Sequence, residues 1–177
     1  NYNNGKLLET GCMINGNIKT AKISPKVDIV YPLSKVIETA KDYNDKDMSK
    51  YIVADETLER WKYLKGSKKI ERTNKAGKKY FYSEGAMAFP EDLSKPARTI
   101  LTSEGSINRT SHIIYDKELE DYRILTEVEC ELIQMFPANW TKDVMSSRKR
   151  YFMMGNALVT GIINKLEPSL RNIIEKD

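Results

Sequence analysis

The sequence is poor in the residues that most often build metal sites. Its 177 residues include two cysteines and one histidine. Cys12 and Cys130 lie far apart, and neither has metal-ligand spacing around it. No apolar run approaches the roughly 18 residues that a membrane-spanning helix needs, and no signal peptide opens the chain. We therefore expect a cytoplasmic protein in a reducing setting, without a metal site or a membrane partner.

Length and composition favour one globular domain, or slightly more than one. Hydrophobic residues make up 40% and charged residues 31% of the chain, which is ordinary for a folded protein. The first residue is Asn1, and a polar run follows it at once. We expect this chain to be a piece of a longer protein.

Positive charge is concentrated in one segment. Lys and Arg exceed Asp and Glu by only 29 to 25, so net charge says little about a partner. Between Lys65 and Lys79, however, seven cations accompany a single acid, Glu71, whereas acids collect at residues 116–131. A polyanion would therefore bind the first of these regions.

The first two thirds of the chain are predicted to be mostly short strands. Alternating apolar residues at 7–31 indicate strands joined by turns, and Asp55 opens a helix that Gly66 ends. Residues 68–82 predict a β-hairpin with an Asn- and Gly-containing loop and a positive tip. A strand-like run at 98–102 is followed by a polar loop at 103–111 and by a further strand at 112–115.

From Leu125 onward the apolar period becomes helical. Thr126 and Glu129 have the spacing of a capping box, in which each side chain accepts a hydrogen bond from a free backbone N–H group at the start of a helix. A second helix is predicted up to Met154, and Gly155 with Asn156 interrupts it before a third. The third helix carries an apolar stripe, formed by Leu158, Val159, Ile162, Ile163, Leu166 and Leu170. The fold class is therefore α+β.

Two segments in this helical part carry a family signature. Residues 123–140, RILTEVECELIQMFPANW, resemble the ninth motif of DNA cytosine-5 methyltransferases, and residues 150–159, RYFMMGNALV, resemble the tenth. Upstream, residues 82–90 and 95–102 look like the end of a bacterial target-recognition domain. The resemblance implies that residues 1–122 form a target-recognition, DNA-binding domain. It also implies that residues 123–177 are a helical C-terminal segment that normally packs on a Rossmann-like methyltransferase domain.

The motifs that perform the family's chemistry do not occur in this sequence. It contains no Pro-Cys loop, no Glu-Asn-Val motif, no Gln-Arg-x-Arg motif and no Phe-x-Gly-x-Gly loop. Within the motifs present, Glu127 replaces the usual Pro, Met135 replaces a Gly, and Thr160 and Gly161 replace Pro residues. We expect Cys130 to be buried, Cys12 to be non-catalytic and His112 to be a packing residue. No catalytic residue is assigned.

The resemblance implies a role in the S-adenosylmethionine pocket for Gly155, Asn156 and Ala157, once the missing catalytic half is present. A helix N-terminus with free N–H groups would suit the polar tail of that cofactor. A tight turn between two core helices explains the same residues equally well. The resemblance also implies that Arg123 organises the recognition domain, so we expect a structural role for this residue.

Candidate DNA contacts lie on the hairpin and in the two loops after it. Lysine suits phosphates, and arginine suits guanine edges. The alternative for the hairpin is a solvated charged edge that prevents aggregation. The predicted contacts are Lys68, Lys69, Arg72, Lys78, Lys79, Arg98, Thr99, Thr102, Arg109, Thr110 and Ser111.

These observations predict the C-terminal part of a methyltransferase from a restriction-modification system. Its partners would be double-stranded DNA and the N-terminal catalytic part of the same enzyme, and the chain alone would be inactive. Two alternatives remain open, a small subunit of a split methyltransferase and a stand-alone DNA-binding module without chemistry. Without the catalytic part, the apolar stripe of the last helix is expected to self-associate or to fold back onto the recognition domain.

Overall fold

The structure, a computed structural model, describes residues 8–24 and 29–175. These residues fall into two compact units that divide between Val30 and Tyr31. The functional boundary expected between residues 122 and 123 is a different division, and it stays a prediction.

The first unit contains a β-hairpin. Strand β1 (Thr10–Ile14) pairs antiparallel with β2 (Asn17–Ala21). Asn15 and Gly16 join them with φ angles of 49° and 76°, and this left-handed pair suits the twist of a two-residue hairpin turn. The prediction of short strands joined by turns is confirmed for the described part of residues 7–31.

The second unit is a mixture of helices and two-stranded sheets, as the α+β prediction requires. Its sheets are the antiparallel pairs β3–β4 and β5–β6. In chain order the elements are α1 (Leu33–Ala40), α2 (Asp55–Lys65), β3 (Lys68–Thr73), β4 (Lys79–Glu84), β5 (Ile113–Asp116), β6 (Asp121–Ile124), α3 (Glu127–Ile133), α4 (Ser147–Asn156) and α5 (Thr160–Ile174).

One predicted strand is absent. Residues 98–102 form no β-ladder, because Ile100 anchors the segment in the core and the chain turns immediately afterwards. The N–H group of Glu104 donates to the carbonyl of Leu101 at 2.9 Å, which closes this turn. The strand prediction for 98–102 was therefore wrong, whereas the one at 112–115 is confirmed by β5.

The core of the second unit has two parts. The larger cluster joins α1, α3 and α4 through Leu33, Val36, Ile100, Ile114, Leu125, Cys130, Tyr151 and Met154. The smaller cluster lies under α2 and contains Val53, Leu58, Trp61 and Ile113. Leu58 and Trp61 lie on the buried face of α2.

Helix α5 carries its apolar stripe on the outside. None of its described residues is buried, and Leu166 and Leu170 are each at least half exposed. Its first turn is held in place, because the Thr160 hydroxyl donates to the carbonyl of Met135 at 2.6 Å. Folding back onto the recognition domain, one of the two expected arrangements, is therefore not seen in the described residues, and self-association stays a prediction. No helix among the described residues is long and apolar enough to cross a membrane.

Candidate nucleic-acid interface

Strands β3 and β4 form the hairpin expected from the sequence, and we call this pair the ribbon. Its turn is closed by Asn74, whose side-chain oxygen accepts from the N–H groups of Ala76 at 3.0 Å and Lys78 at 2.9 Å. Gly77 has a φ of 77°, a backbone conformation that other residues rarely adopt. The Asn and Gly of the loop therefore fix the turn, and the turn fixes the register.

The ribbon has two faces, which the register defines. The inner face carries Lys68, Ile70, Arg72, Tyr80, Tyr82 and Glu84. The outer face carries Lys69, Glu71, Thr73, Lys79, Phe81 and Ser83. The predicted DNA contacts are therefore split, with Lys68 and Arg72 on one face, Lys69 and Lys79 on the other, and Lys78 in the turn.

Aromatic rings hold several of these cations in place. The Arg72 guanidinium lies 4.0 Å from the centre of the Tyr82 ring, and Lys69 Nζ lies 4.8 Å from that of Phe81. Such contacts keep a cation oriented while its charge still faces solvent. Phe81 and Tyr82 were not among the predicted contacts, although they follow Lys78 and Lys79 closely in the sequence.

Arg109 holds the base of the ribbon together. Its guanidinium donates to the carbonyls of Leu64 and Gly66, which precede β3, and of Gly85, which follows β4. It also lies 3.3 Å from the Glu84 carboxylate. An arginine with these partners orients the ribbon, and it has few donors left for a guanine.

Arg98 is held in a similar way. Its guanidinium binds both oxygens of the buried Glu91 carboxylate, with Nε at 3.0 and 3.2 Å, and Lys65 Nζ approaches the same carboxylate at 3.2 Å. Burial by itself would raise the pKa of Glu91, but the hydrogen bond from Arg98 and the two positive charges hold it below its usual value. Arg98 therefore neutralises a buried acid.

The hydroxyl residues of the loop differ in their accessibility. Thr99 and Thr102 are exposed. Thr110 is half-buried, and its hydroxyl donates to the Asn108 side chain at 2.9 Å. Ser111 is fully buried and donates to the carbonyls of Ser103 and Ser106. A direct DNA contact by Ser111 does not fit this position, and we leave Ser111 out of the proposed interface.

A buried ion-pair network joins strands β5 and β6 to helix α3. Arg123 donates to both oxygens of Glu129, at 2.7 and 2.9 Å, and to Asp116 at 2.7 Å. Glu129 also accepts from the N–H group of Thr126 at 2.8 Å, and the Thr126 side chain accepts from the N–H group of Glu129. The capping box is confirmed, and the structure gives Arg123 the structural position that was expected.

The turn around Gly155 differs from the prediction. Helix α4 runs through Gly155 and Asn156, so these residues end one helix and do not begin the next. A Cβ atom on Gly155 would overlap the backbone of Leu101 and Thr102, so close packing requires glycine there. The N–H group of Ala157 donates to Met154, and the side-chain nitrogen of exposed Asn156 donates to Phe152.

Cys130 and His112 lie in the buried positions expected for them. Cys130 is fully buried, and burial raises the pKa of its thiol, which excludes a ready thiolate. Cys12 is exposed on β1. His112 is buried, with Nδ1 at 2.9 Å from the Glu104 carboxylate. Among the described residues, no group of His, Cys, Asp and Glu could hold a metal ion.

Comparison with known proteins identifies the family. The model of C-5 cytosine-specific DNA methylases matches residues 11–172. The chain belongs to the C-5 cytosine-specific DNA methylase family. The family expected from the resemblance of residues 123–140 and 150–159 is thus confirmed.

A curated member of the family is similar over nearly the whole chain. The Type II methyltransferase M.Sau3AI of Staphylococcus aureus is 40% identical over 164 residues, which are 93% of this chain. The match covers 38% of the relative's own length. No solved structure matches the chain.

Proposed function

We propose that this chain reads the DNA target site for a type II DNA cytosine-5 methyltransferase of a restriction-modification system. Residues 1–122 would form its target-recognition domain and residues 123–177 its C-terminal segment. The observation that carries the proposal is the cation-rich ribbon, oriented by Arg109, in a member of a DNA methylase family. The chain spans 38% of the length of its curated relative, so the complete enzyme would include a catalytic part elsewhere.

Methyl transfer to carbon 5 of cytosine requires a thiolate that attacks carbon 6 of a base flipped out of the duplex. Neither cysteine of this chain meets that requirement. Cys130 is fully buried with a raised pKa, and no hydrogen-bond partner that could act as a base is found for Cys12 among the described residues. The isolated chain is therefore expected to be inactive.

S-adenosylmethionine would supply the methyl group once the catalytic part is present. Of the three residues assigned to its pocket, Asn156 is exposed, and its carboxamide oxygen makes no hydrogen bond within the described chain. Gly155 and Ala157 are held against Thr102 and Met154 by backbone packing and hydrogen bonding. We assign the ligand contact to Asn156, and we assign Gly155 and Ala157 to its placement.

Tritium transfer from labelled S-adenosylmethionine to duplex DNA tests the assignment of the chemistry. The isolated chain should transfer none. Mixing it with the part of the Staphylococcus aureus relative that lies outside the match should restore transfer, and Asn156→Ala should raise the KM for S-adenosylmethionine in that mixture. Transfer by the isolated chain would refute the proposal.

A stand-alone DNA-binding module is a second candidate, because Arg109 orients the ribbon without any contribution from another chain. Gel shifts against random and selected duplexes at two salt concentrations separate the candidates. Tight, sequence-specific binding without a partner favours the module. Weak, salt-sensitive binding that still prefers one sequence favours a part of a larger enzyme.

The apolar stripe of α5 is proposed to pack on the catalytic part in the complete enzyme, and on a second copy when the chain is alone. One face of this amphipathic helix is apolar and open to solvent. Each of its residues is at least half exposed: Ile162, Leu166, Leu170 and Ile173. Light scattering should therefore show a dimer or larger species for the isolated chain. A monomer at micromolar concentration would contradict self-association.

A further inference from the structure

The outer face of the ribbon is free from its base to its tip. All six of its side chains are exposed. Phe81 lies near the middle of this face, and 59% of its surface is exposed. A two-stranded hairpin is marginally stable in water by itself, so such a face is suited to a binding partner.

The inner face is committed to the body of the protein at its base. Lys68 Nζ donates to the Leu64 carbonyl at 3.0 Å and lies 4.6 Å from the centre of the Tyr63 ring. Glu84, which lies opposite Lys68 on the neighbouring strand, pairs with Arg109. Helix α2 and the loop of Arg109 therefore occupy the inner side at its base, whereas every side chain of the outer face is exposed and a long partner can lie flat against it.

The charge of the ribbon selects a polyanion as that partner. Between residues 68 and 82 the only acid is Glu71, and the cations are Lys68, Lys69, Arg72, Lys75, Lys78 and Lys79. Lys75 and Lys78 make no ion pair within the described chain and flank the tip, where they would reach phosphates. Six residues of strand extend over about 20 Å, and a two-stranded ribbon fits the major groove of B-DNA, which is about 12 Å wide.

The composition of the outer face matches the chemistry of base edges in that groove. Lysine donates to guanine O6 and N7, glutamate accepts from the cytosine amino group, and serine or threonine bonds to several bases. Phenylalanine makes apolar contact with the 5-methyl group of thymine. Lys69 covers part of the Phe81 ring, and the exposed remainder is available to one such methyl group.

We propose that the outer face lies on the floor of the major groove and that Phe81 contacts the 5-methyl group of a thymine in the target site. The inference rests on the proposed function, since it assumes that the chain binds duplex DNA through the ribbon. It adds a specificity-determining residue, and it assigns the outer face to bases and the tip lysines to the backbone.

Replacing thymine by uracil tests this contact, because uracil lacks the 5-methyl group and keeps every hydrogen-bonding atom. The preferred duplex is first selected from a random pool with the intact chain. Fluorescence anisotropy then compares that duplex with versions carrying uracil at one thymine at a time. Burial of one methyl group predicts about a fourfold loss of affinity at one position.

The matched control is Tyr80, the neighbouring aromatic residue on the inner face, which is 46% exposed. Phe81→Ala should bind the thymine and uracil duplexes equally, whereas Tyr80→Ala should keep the fourfold difference. Circular dichroism checks that both variants fold. If Phe81→Ala does not fold, Phe81→Gln keeps the size of the side chain while removing the ring, and it should also abolish the difference.

Each failure points to a different part of the reasoning. A selected site without thymine, equal binding of both duplexes by the unmodified chain, or a difference that survives in Phe81→Ala overturns the contact but leaves the proposed function in place. Failure to enrich any sequence refutes site reading by the chain, and the contact with it.

Discussion

Glu129→Gln should strongly destabilise the second unit, because it removes one partner of a buried ion pair. The Glu129 carboxylate is fully buried and binds the Arg123 guanidinium through two hydrogen bonds. The variant keeps the shape and an oxygen for the Thr126 N–H group. It leaves the Arg123 charge with Asp116 as its one carboxylate partner. Breaking such a pair costs about 3–5 kcal/mol, a large part of the roughly 5–15 kcal/mol that stabilises a typical domain.

Urea unfolding followed by tryptophan fluorescence measures this loss, because Trp61 is buried in the same unit. With a typical dependence on urea, the expected loss lowers the midpoint by about 2 M. The matched control is Glu167→Gln on α5, which breaks an exposed Glu–Arg pair and should cost less than about 1 kcal/mol. If Glu129→Gln unfolds within about 1 kcal/mol of the parent chain, the buried pair does not stabilise this fold as argued.

Three further outcomes are expected. Gly155→Ala should lower the free energy of unfolding by about 1–3 kcal/mol, measured by heat or urea, because the new Cβ atom would overlap backbone atoms. In the control Gly161→Ala the new Cβ atom meets the movable side chain of Met135, so the free energy of unfolding should change little. Glu91 has a folded-state pKa below its unfolded value, so the unfolded chain gains a proton first as the pH falls, and the free energy of unfolding should drop below a pH of about 4.5. Glu91→Gln should flatten that acid limb, and an unchanged limb would contradict the assignment. Arg109→Ala should speed amide hydrogen exchange in the ribbon while leaving exchange in α3 unchanged.

Features set by neighbouring residues were predictable from the sequence. The ribbon follows from alternating residues around an Asn- and Gly-containing loop, and the start of α3 follows from Thr126 and Glu129 three residues apart. In both cases the partners lie close along the chain, so a short stretch of sequence contains the whole interaction.

The roles of the loop arginines were not predictable in the same way. Arg98 and Arg109 lie in polar loops, where an arginine predicts a contact with DNA bases. Arg109 instead binds carbonyls 24 to 45 residues away, and Arg98 binds Glu91 after the chain has turned. The acceptor of such a loop arginine can be identified only from the folded structure, because the fold brings the two groups together.

Gly155 shows the same limit for packing. A Gly-Asn pair after an apolar helix predicts a break, because glycine is unfavourable inside helices. Here α4 continues through both residues. The backbone of Leu101 and Thr102 lies against Gly155 and leaves no room for a side chain, so the position requires glycine. The glycine serves a close contact between two segments more than fifty residues apart in the sequence, and no local pattern shows that contact.

The salt dependence of DNA binding tests most directly whether the ribbon is the DNA-binding element. Anisotropy titrations at several salt concentrations would compare the parent chain with a triple Lys→Gln variant at residues 75, 78 and 79. A second triple variant would remove the same charge from the body, at Lys35, Lys50 and Lys95, each paired with an acid on the surface. Each lost phosphate contact reduces the slope of log K against log salt by about 0.9. We expect the ribbon variant to lose about two phosphate contacts, those of Lys75 and Lys78, because Lys79 lies on the outer face and pairs with Glu71. The body variant should lose none, and equal slopes for the ribbon variant and the parent chain would contradict the proposed interface.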